Sequence, residues 1–148
     1  MVKKIYTLLV GINEYKNTYK NATLSGCVND IEVIQTYSSK RIDIDKQWEL
    51  VEKKLINESA TRQNIIDAFQ QHLCQAGEED VVLFYYAGHG SYEPAPNIFR
   101  TLNQDRQLET IVCYDSQTEG VLDLADKELN YLIEQVAQKN PHILVILD

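Results

Sequence analysis

Several features that define common protein classes are absent from this sequence of 148 residues. It contains no run of about 18 apolar residues, the length that spans a membrane. The apolar stretch near its start is too short, and too soon interrupted, for a secretory signal peptide. The three cysteines are odd in number and lack the C-x-x-C spacing of zinc sites and redox motifs. We therefore expect a cytoplasmic protein with reduced thiols and no bound metal.

Positive charge and nucleotide-binding motifs are also scarce. The chain carries 22 acidic and 14 basic residues, a formal net charge of −8, which disfavours binding to nucleic acid and suits a basic substrate or partner. Neither G-x-G-x-x-G nor G-x-x-x-x-G-K-[ST] occurs, so a flavodoxin-like or nucleotide-binding domain is only a third interpretation. Hydrophobic residues make up 44%, as in soluble globular proteins. The length predicts one domain over residues 1–148.

What the sequence does contain is an alternation of apolar runs and helical periodicities. Continuous apolar runs predict strands over residues 5–10, 81–86 and 142–147, and a mixed run predicts a strand nearer the sheet edge over 48–56. Apolar residues spaced by three and four predict three helices, with caps at Ser25, Thr61 and Asp126. Residues 92–110 are expected to form a long exposed loop. The alternation predicts an α/β fold, a three-layer sandwich with a mainly parallel sheet.

Polar residues follow the predicted strands or begin the helix after them: Asn13, Asp30, His89 and Asp148. The carboxyl ends of parallel strands meet at one edge, where ligands bind. An imidazole at this edge can exchange a proton near neutral pH, and Gly88 and Gly90 beside it permit positive φ and close approach. Gly90 also offers a backbone N–H. A base next to an amide donor is the pair of groups that acyl transfer needs.

These residues also have purely structural interpretations. A histidine between two glycines can be a turn residue, and Asp30 near a helix N-terminus stabilises the macrodipole whether or not it binds a ligand. Asp148 can simply end a strand. Cys27 lies three residues before Asp30 on the same helical face, which makes it a candidate pocket wall. The other histidines lack convergent partners, and the other cysteines are interpreted as partly buried thiols: His72, His142, Cys74 and Cys113.

Six blocks of the sequence, taken in order, match the pattern of a known family. They read LLVGINEY, LSGCVNDIEVI, ATRQNIIDAF, DVVLFYYAGHGS, ETIVCYDSQTEGVLDLADKELNYLI and HILVILD. Together they resemble the caspase-like cysteine peptidases, most closely the metacaspase and bacterial orthocaspase branch. In that family the fourth block delivers the catalytic histidine and the last one delivers the nucleophile. The resemblance covers nearly the whole chain and implies a caspase-like fold and a peptide-bond hydrolase.

The resemblance also implies a role for each matching residue. His89 would be the general acid and base of a Cys–His dyad, and the N–H of Gly90 would bind the oxyanion. Asp30 and Asp148, with Cys27 beside them, match the residues that line the primary specificity pocket of metacaspases. Two carboxylates favour Arg or Lys before the cut. The implied partner is therefore a protein or peptide substrate with a basic residue at that position.

At two positions the chain departs from the family pattern. Ala87 stands where metacaspases often have a serine in the specificity pocket, which removes one hydrogen bond to the substrate. Some metacaspases are activated by calcium through acids that include a pair before the third helix, and here that pair reads Asp126 and Lys127. Calcium activation is therefore not favoured, and no cofactor is expected.

A third departure concerns the nucleophile. In the family the last strand continues as Asp, a small residue or Cys, and then the catalytic Cys followed by His-Ser-Gly. This sequence stops at Asp148, about two residues short. The resemblance thus implies an N-terminal, large-subunit part that is inactive alone and that has the C-terminal remainder of a parent chain as its partner. The alternative is a catalytically inactive caspase-like module that serves as a regulator or scaffold.

Overall fold

A sheet of four parallel strands forms the centre of the structure, a computed structural model that describes residues 2–97 and 107–148. The strands are β1 (Lys3–Gly11), β2 (Trp48–Ile56), β3 (Val81–Ala87) and, after three short strands given below, β7 (His142–Leu147). Their order is β2-β1-β3-β7, and each neighbouring pair is parallel. The predicted parallel sheet is confirmed, and all four carboxyl ends lie along one edge.

Helices cover both faces of this sheet. They are α1 (Cys27–Ile44), α2 (Arg62–Gln71) and α3 (Asp126–Ala137). Successive side chains of a strand point to opposite faces. Leu9 and Tyr85 pack with Ile31 of α1, whereas Leu8 and Phe84 lie in the core beneath α2 and α3. Complete burial of a leucine side chain stabilises the fold by about 2 kcal/mol. The predicted three-layer α/β sandwich is confirmed.

The two outer strands are β2 and β7. β2 has the bounds and the edge position that its mixed composition predicted. β7 also has its predicted bounds, and its apolar run lies at the opposite edge, where Leu144 and Leu147 are each 53% exposed. Within the described residues β7 pairs with β3 alone. One long side of an apolar strand is therefore uncovered there.

A second, antiparallel sheet lies where a long exposed loop was expected. It contains β4 (Gly90–Pro94), β5 (Gln107–Ile111) and β6 (Leu124–Ala125), in that order. The loop prediction is wrong for these strands, since Leu108 and Thr110 alternate with exposed residues and are buried. Of the rest of the expected loop, residues 95–97 are in neither sheet, and residues 98–106 lie outside the described residues.

The helix starts agree only partly with the predicted caps. Thr61 caps α2 as predicted, because its Oγ1 accepts the N–H of Asn64 at 3.2 Å. Asp126 is the first residue of α3 and not its cap, which is Ala125. Glu128 Oε2 accepts the Ala125 N–H at 3.1 Å and so closes this helix start from inside the first turn.

Ser25 does not cap α1. The cap position is Gly26, which has no side chain to accept a hydrogen bond. Instead Asn13, which follows β1, accepts the N–H of Val28 with Oδ1 at 3.3 Å. The first turn of α1 is therefore capped by a residue from another element, and Asn13 has this structural role. No helix in the described parts of the chain is long and apolar enough to cross a membrane.

Candidate active site

The ends of β3 and β7 bring the predicted site residues to one edge of the sheet. The Asp148 N–H donates to the Tyr86 carbonyl at 2.8 Å, and the Gly88 N–H donates to the Asp148 carbonyl at 3.2 Å. The two strands are thus joined by hydrogen bonds up to the residue before His89. Ala87, between these bonded residues, is buried. The prediction that His89 and Asp148 share a sheet edge is confirmed.

Contacts on its backbone and on its ring fix His89. Its Nε2 lies 2.7 Å from the Ala22 carbonyl oxygen, and its ring packs on the Tyr15 ring at 5.1 Å between centroids. Its N–H donates to Tyr15 Oη at 2.7 Å, and its carbonyl accepts from Tyr86 Oη and from Val112 N–H. One tautomer donates from Nε2 to Ala22. In that tautomer Nδ1 is the ring nitrogen that can accept a proton.

The loop that carries Ala22 is itself tied to a distant part of the chain. Asn17 Nδ2 donates to the Gln117 carbonyl at 2.6 Å, and Asn21 Nδ2 donates to Gln117 Oε1 at 3.3 Å. Asn21 is buried, so its amide is satisfied inside the protein. These bonds hold in place the loop whose Ala22 carbonyl oxygen contacts the His89 ring.

Gly88 precedes His89 for a reason different from the one expected. Neither Gly88 nor Gly90 uses the positive φ that glycine permits. A Cβ at Gly88 would lie 2.6 Å from Tyr86 Oη and 2.7 Å from Tyr15 Oη. Real Cβ atoms do not approach so closely, and the two phenols belong to the buried core. Glycine is required there because two tyrosine hydroxyls occupy the space of a side chain.

The hairpin that follows His89 sets the direction of the Gly90 N–H. The Val112 N–H donates to the His89 carbonyl at 2.9 Å, so the backbone bonds of the hairpin begin on this side of Gly90. The next pair, Gly90 with Ile111, is then a non-hydrogen-bonded pair, whose N–H points away from β5. β4 is an outer strand of the small sheet. The Gly90 N–H is therefore directed outward, one residue beyond the imidazole.

Carboxylates surround the other half of the site. Tyr85 Oη donates to Asp148 Oδ2 at 3.1 Å. Burial, this hydrogen bond, and the charges of Asp148 and Asp30 raise the pKa of Tyr85 to about 12. Burial, followed by the same two carboxylates, also raises the pKa of the Cys27 thiol. The structure thus brings Cys27, Asp30 and Asp148 together, with Tyr85 as a fourth member.

Close packing of α1 on β1 carries Cys27 and Asp30 to this edge. A Cβ at Gly11, the last residue of β1, would lie 2.5 Å from Ile31 Cγ1 and 3.0 Å from the Cys27 carbonyl oxygen. Ala87 packs in the same apolar cluster as Ile31, with Cys27 against it. Small residues at the ends of β1 and β3 therefore let the start of α1 sit directly on the sheet.

Several candidates from the sequence lie outside the site. His72 is half-buried, with Nε2 3.0 Å from the Thr7 carbonyl oxygen, and His142 is exposed. Cys113 is completely buried, not partly buried as predicted, and burial raises its pKa to about 12. Cys74 is half-buried, and all three thiols are unpaired. None of these residues contacts the His89 ring.

The pair considered for calcium binding, Asp126 and Lys127, forms the first two residues of α3. Asp126 Oδ2 lies 3.1 Å from Lys127 Nζ, and Asp126 Oδ1 accepts the Lys127 N–H at 2.8 Å. The lysine therefore neutralises the carboxylate. Within residues 2–97 and 107–148, no group of three or more His, Cys, Asp or Glu residues is arranged to hold a metal ion.

Sequence reasoning missed three tyrosines that contact the site residues: Tyr15, Tyr85 and Tyr86. Strand alternation already places Tyr85 and Tyr86 on opposite faces of β3, and the register with β7 would bring Tyr85 towards Asp148. Tyr15 gave no such signal, because it lies in a loop 74 residues away from His89.

Comparison with known proteins gives the family. The profile described as "Metacaspase, peptidase C14 domain" matches residues 5–148. Metacaspase-1 of Plasmodium falciparum (isolate 3D7) is 30% identical over 148 residues, which is 95% of this chain and 22% of that protein. Metacaspase-9 of Arabidopsis thaliana is 32% identical over 115 residues, which is 73% of this chain and 34% of that protein. The chain thus spans at most about a third of these relatives.

A solved structure is also similar to this fold. The crystal structure of protein GSU0716 from Geobacter sulfurreducens superposes with a TM-score of 0.76 and 26% sequence identity. The match covers 98% of this chain and 50% of that one. Since the metacaspase profile extends over nearly all of the sequence, the chain belongs to the metacaspase family of cysteine peptidases.

Proposed function

We propose that the protein is a cysteine endopeptidase that uses a Cys–His dyad and cuts after Arg or Lys. The observation that carries the proposal is the placement of His89. Its imidazole is oriented by Ala22 at the same sheet edge where the charges of Asp30 and Asp148 act on Cys27. A proton-transfer group therefore stands beside a negatively charged pocket.

The proposed reaction begins at His89 Nδ1. This nitrogen accepts the proton of the nucleophilic thiol, and the thiolate attacks the carbonyl carbon of the scissile peptide bond. The Gly90 N–H donates to the oxyanion of the tetrahedral intermediate. The imidazolium then gives its proton to the nitrogen of the leaving amine. The C–N bond breaks, the amine leaves, and the acyl group remains on the sulfur as a thioester. His89 next accepts a proton from water, whose oxygen attacks the thioester carbon. The C–S bond then breaks, the acid leaves, and the imidazolium returns its proton to the sulfur.

Selectivity for a basic residue follows from the carboxylates. A guanidinium or ammonium group gains charge-assisted hydrogen bonds from Asp30 and Asp148, and an Asp side chain would be repelled. Tyr85 fixes Asp148 by its hydrogen bond. Ala87 provides no hydroxyl, so these acids make the main polar contacts. The net charge of −8 adds a longer-range attraction for basic peptides.

The nucleophile is not one of the cysteines of this chain. The pKa of Cys27 is raised, first by burial and then by Asp30 and Asp148, which keeps its thiol protonated. Cys113 is completely buried. We place the nucleophile shortly after Asp148, in a C-terminal remainder that also covers the exposed side of β7. The chain by itself is then inactive.

We also propose that this activity needs no metal ion. The Asp126 carboxylate, at the position of a family calcium ligand, is paired with Lys127. Peptidase activity of the full-length protein is therefore expected to be equal in calcium and in EGTA. A loss of activity in EGTA that calcium restores would contradict this part of the proposal.

The test uses the full-length parent protein and peptides that carry a fluorogenic group after Arg. We expect a Cys within a few residues after Asp148, and hydrolysis that disappears when this Cys is replaced by Ala. Replacement of Cys74 by Ala, the matched control outside the site, should leave the reaction in place. If no Cys follows Asp148, the endopeptidase proposal fails and the inactive regulatory or scaffold module takes its place.

A further inference from the structure

We infer that Tyr15 is a positioning residue for His89, which it holds by its hydroxyl group and by its ring. The inference deepens the proposed function, because its kinetic consequence depends on His89 being the proton-transfer group. Its structural consequence, a fixed imidazole, does not depend on catalysis and can be measured separately.

A single side chain restrains both the backbone and the ring of His89. Tyr15 Oη accepts the His89 N–H at 2.7 Å, so the main chain at His89 is fixed. The phenol ring lies 5.1 Å from the imidazole between centroids, at an interplanar angle of 36°. This contact limits rotation of the imidazole. The ring plane it favours is the one in which Nε2 reaches the Ala22 carbonyl oxygen at 2.7 Å.

Tyr15 is itself held rigidly. It is buried, with 4% of its surface exposed, and it belongs to the main core cluster together with Tyr86. Both hydroxyls lie over Gly88, where they take the space of a side chain. Burial raises the pKa of Tyr15, and the bond from the His89 N–H opposes that rise. The phenol therefore stays neutral at physiological pH and keeps an acceptor for the His89 N–H.

Tyr86 completes the clamp from the opposite side. Its Oη lies 2.7 Å from the His89 carbonyl oxygen and 2.8 Å from that of Val112. The N–H and the C=O of His89 are thus both bonded to buried phenols, one from the loop after β1 and one from β3. The His89 carbonyl also accepts the Val112 N–H, whereas without Tyr15 the His89 N–H would be left to water, which would leave the histidine less restrained.

The test compares Tyr15→Phe and Tyr15→Leu in the full-length protein. Tyr15→Phe removes the hydroxyl but keeps the buried ring, so the fold is retained and kcat is expected to fall about tenfold with KM nearly unchanged. Tyr15→Leu also removes the ring contact and is expected to lower kcat about a hundredfold. Tyr92→Phe is the matched control, since Tyr92 is 65% exposed, and it should have no effect.

A second readout is independent of peptidase activity. The ¹⁵N chemical shifts of the His89 ring, assigned with a His89→Gln variant, report the tautomer. We expect the Nε2–H tautomer in the wild type and a mixture of tautomers in Tyr15→Leu. If the full-length protein had no peptidase activity but Tyr15→Leu still gave a mixture of tautomers, the proposed function would be contradicted and the positioning role would stand. Unchanged ring shifts and unchanged kcat in both variants, even with reduced thermal stability, would overturn the positioning role.

Discussion

Two neighbouring tyrosines of β3 serve the two halves of the site in opposite ways. Tyr86 points into the core beneath α2 and α3 and binds the His89 carbonyl, so the histidine half is held by bonds between neutral groups. Tyr85 points towards α1 and donates a hydrogen bond to the Asp148 carboxylate. The acidic half, which contains Asp148, Asp30 and Cys27, is therefore held by a bond to a charged group. Strand alternation alone produces this division.

In the proposed function, this difference separates reactivity from selectivity. Hydrogen bonds between neutral groups are hardly screened by salt, so the orientation of His89 should be the same at low and at high ionic strength. The acidic half is more open, since Asp148 is exposed and Cys27 and Asp30 are half-buried. Its attraction for a basic side chain should weaken as salt is added. A change in one half is therefore expected to leave the other largely intact.

The largest effect should come from removing the imidazole. His89→Ala in the full-length protein is expected to lower kcat about a thousandfold, because the thiol loses its proton acceptor. His142→Ala is the control, since His142 is exposed at the opposite end of the sheet. Steady-state kinetics on an Arg reporter measures both. If kcat of His89→Ala stayed within tenfold of the wild-type value, His89 would not be the proton-transfer group.

Gly88→Ala should loosen the histidine half through packing. The new Cβ would meet two buried hydroxyls at 2.6 and 2.7 Å, which we expect to lower the free energy of unfolding by about 2 kcal/mol. At Gly90 the atom nearest to an added Cβ would be 3.6 Å away, so Gly90→Ala should leave the free energy of unfolding nearly unchanged. Urea denaturation compares the two. Equal midpoints would mean that the tyrosine hydroxyls do not require a glycine.

Tyr85→Phe should affect only the acidic half. Without its hydrogen bond the Asp148 carboxylate is less well oriented, and kcat/KM on an Arg reporter is expected to fall about tenfold, mainly through KM. Tyr131→Phe, on the exposed surface of α3, is the control. If the loss appeared in kcat with KM unchanged, the two halves would not be separable.

The smallest effect concerns the reactivity of Cys27. Its pKa is raised by burial and by the charges of Asp30 and Asp148, so little thiolate is present at pH 8 and alkylation by iodoacetamide is slow. Asp30→Asn removes one of these charges, which lowers the pKa, and the rate is expected to rise about threefold. Cys74 in the same sample should be unaffected. Mass spectrometry follows both thiols, and an unchanged Cys27 rate would place Asp30 outside the pocket.

Local patterns predicted the elements that local chemistry determines. The apolar runs gave the parallel strands, with β2 and β7 at their predicted bounds, and the rule for strand ends placed His89 beside Asp148. Thr61 was found as a cap because its acceptor serves a residue three positions later. In each case the pattern lies within a few residues of its consequence.

The missed features depend on residues that are distant in sequence. Ser25 fits the local pattern of a cap, but Asn13 from the loop after β1 provides the bond to α1. The contact of Tyr15 with His89 joins residues 74 positions apart, and no periodicity predicts it. The glycine beside His89 was expected to serve a special backbone angle, whereas Gly88 serves the packing of two phenols. Contacts of this kind depend on the folded arrangement of the strands and loops, so a local sequence pattern does not predict them.

The measurement that tests the central claim most directly is the ratio of kcat/KM on Arg and Asp reporter peptides. It is made on the full-length wild type and on its Asp30→Asn/Asp148→Asn variant. We expect a strong preference for Arg in the wild type that falls about a hundredfold in the variant, with His89-dependent hydrolysis retained. A wild-type preference for Asp, or a ratio that the two substitutions leave unchanged, would contradict the central claim.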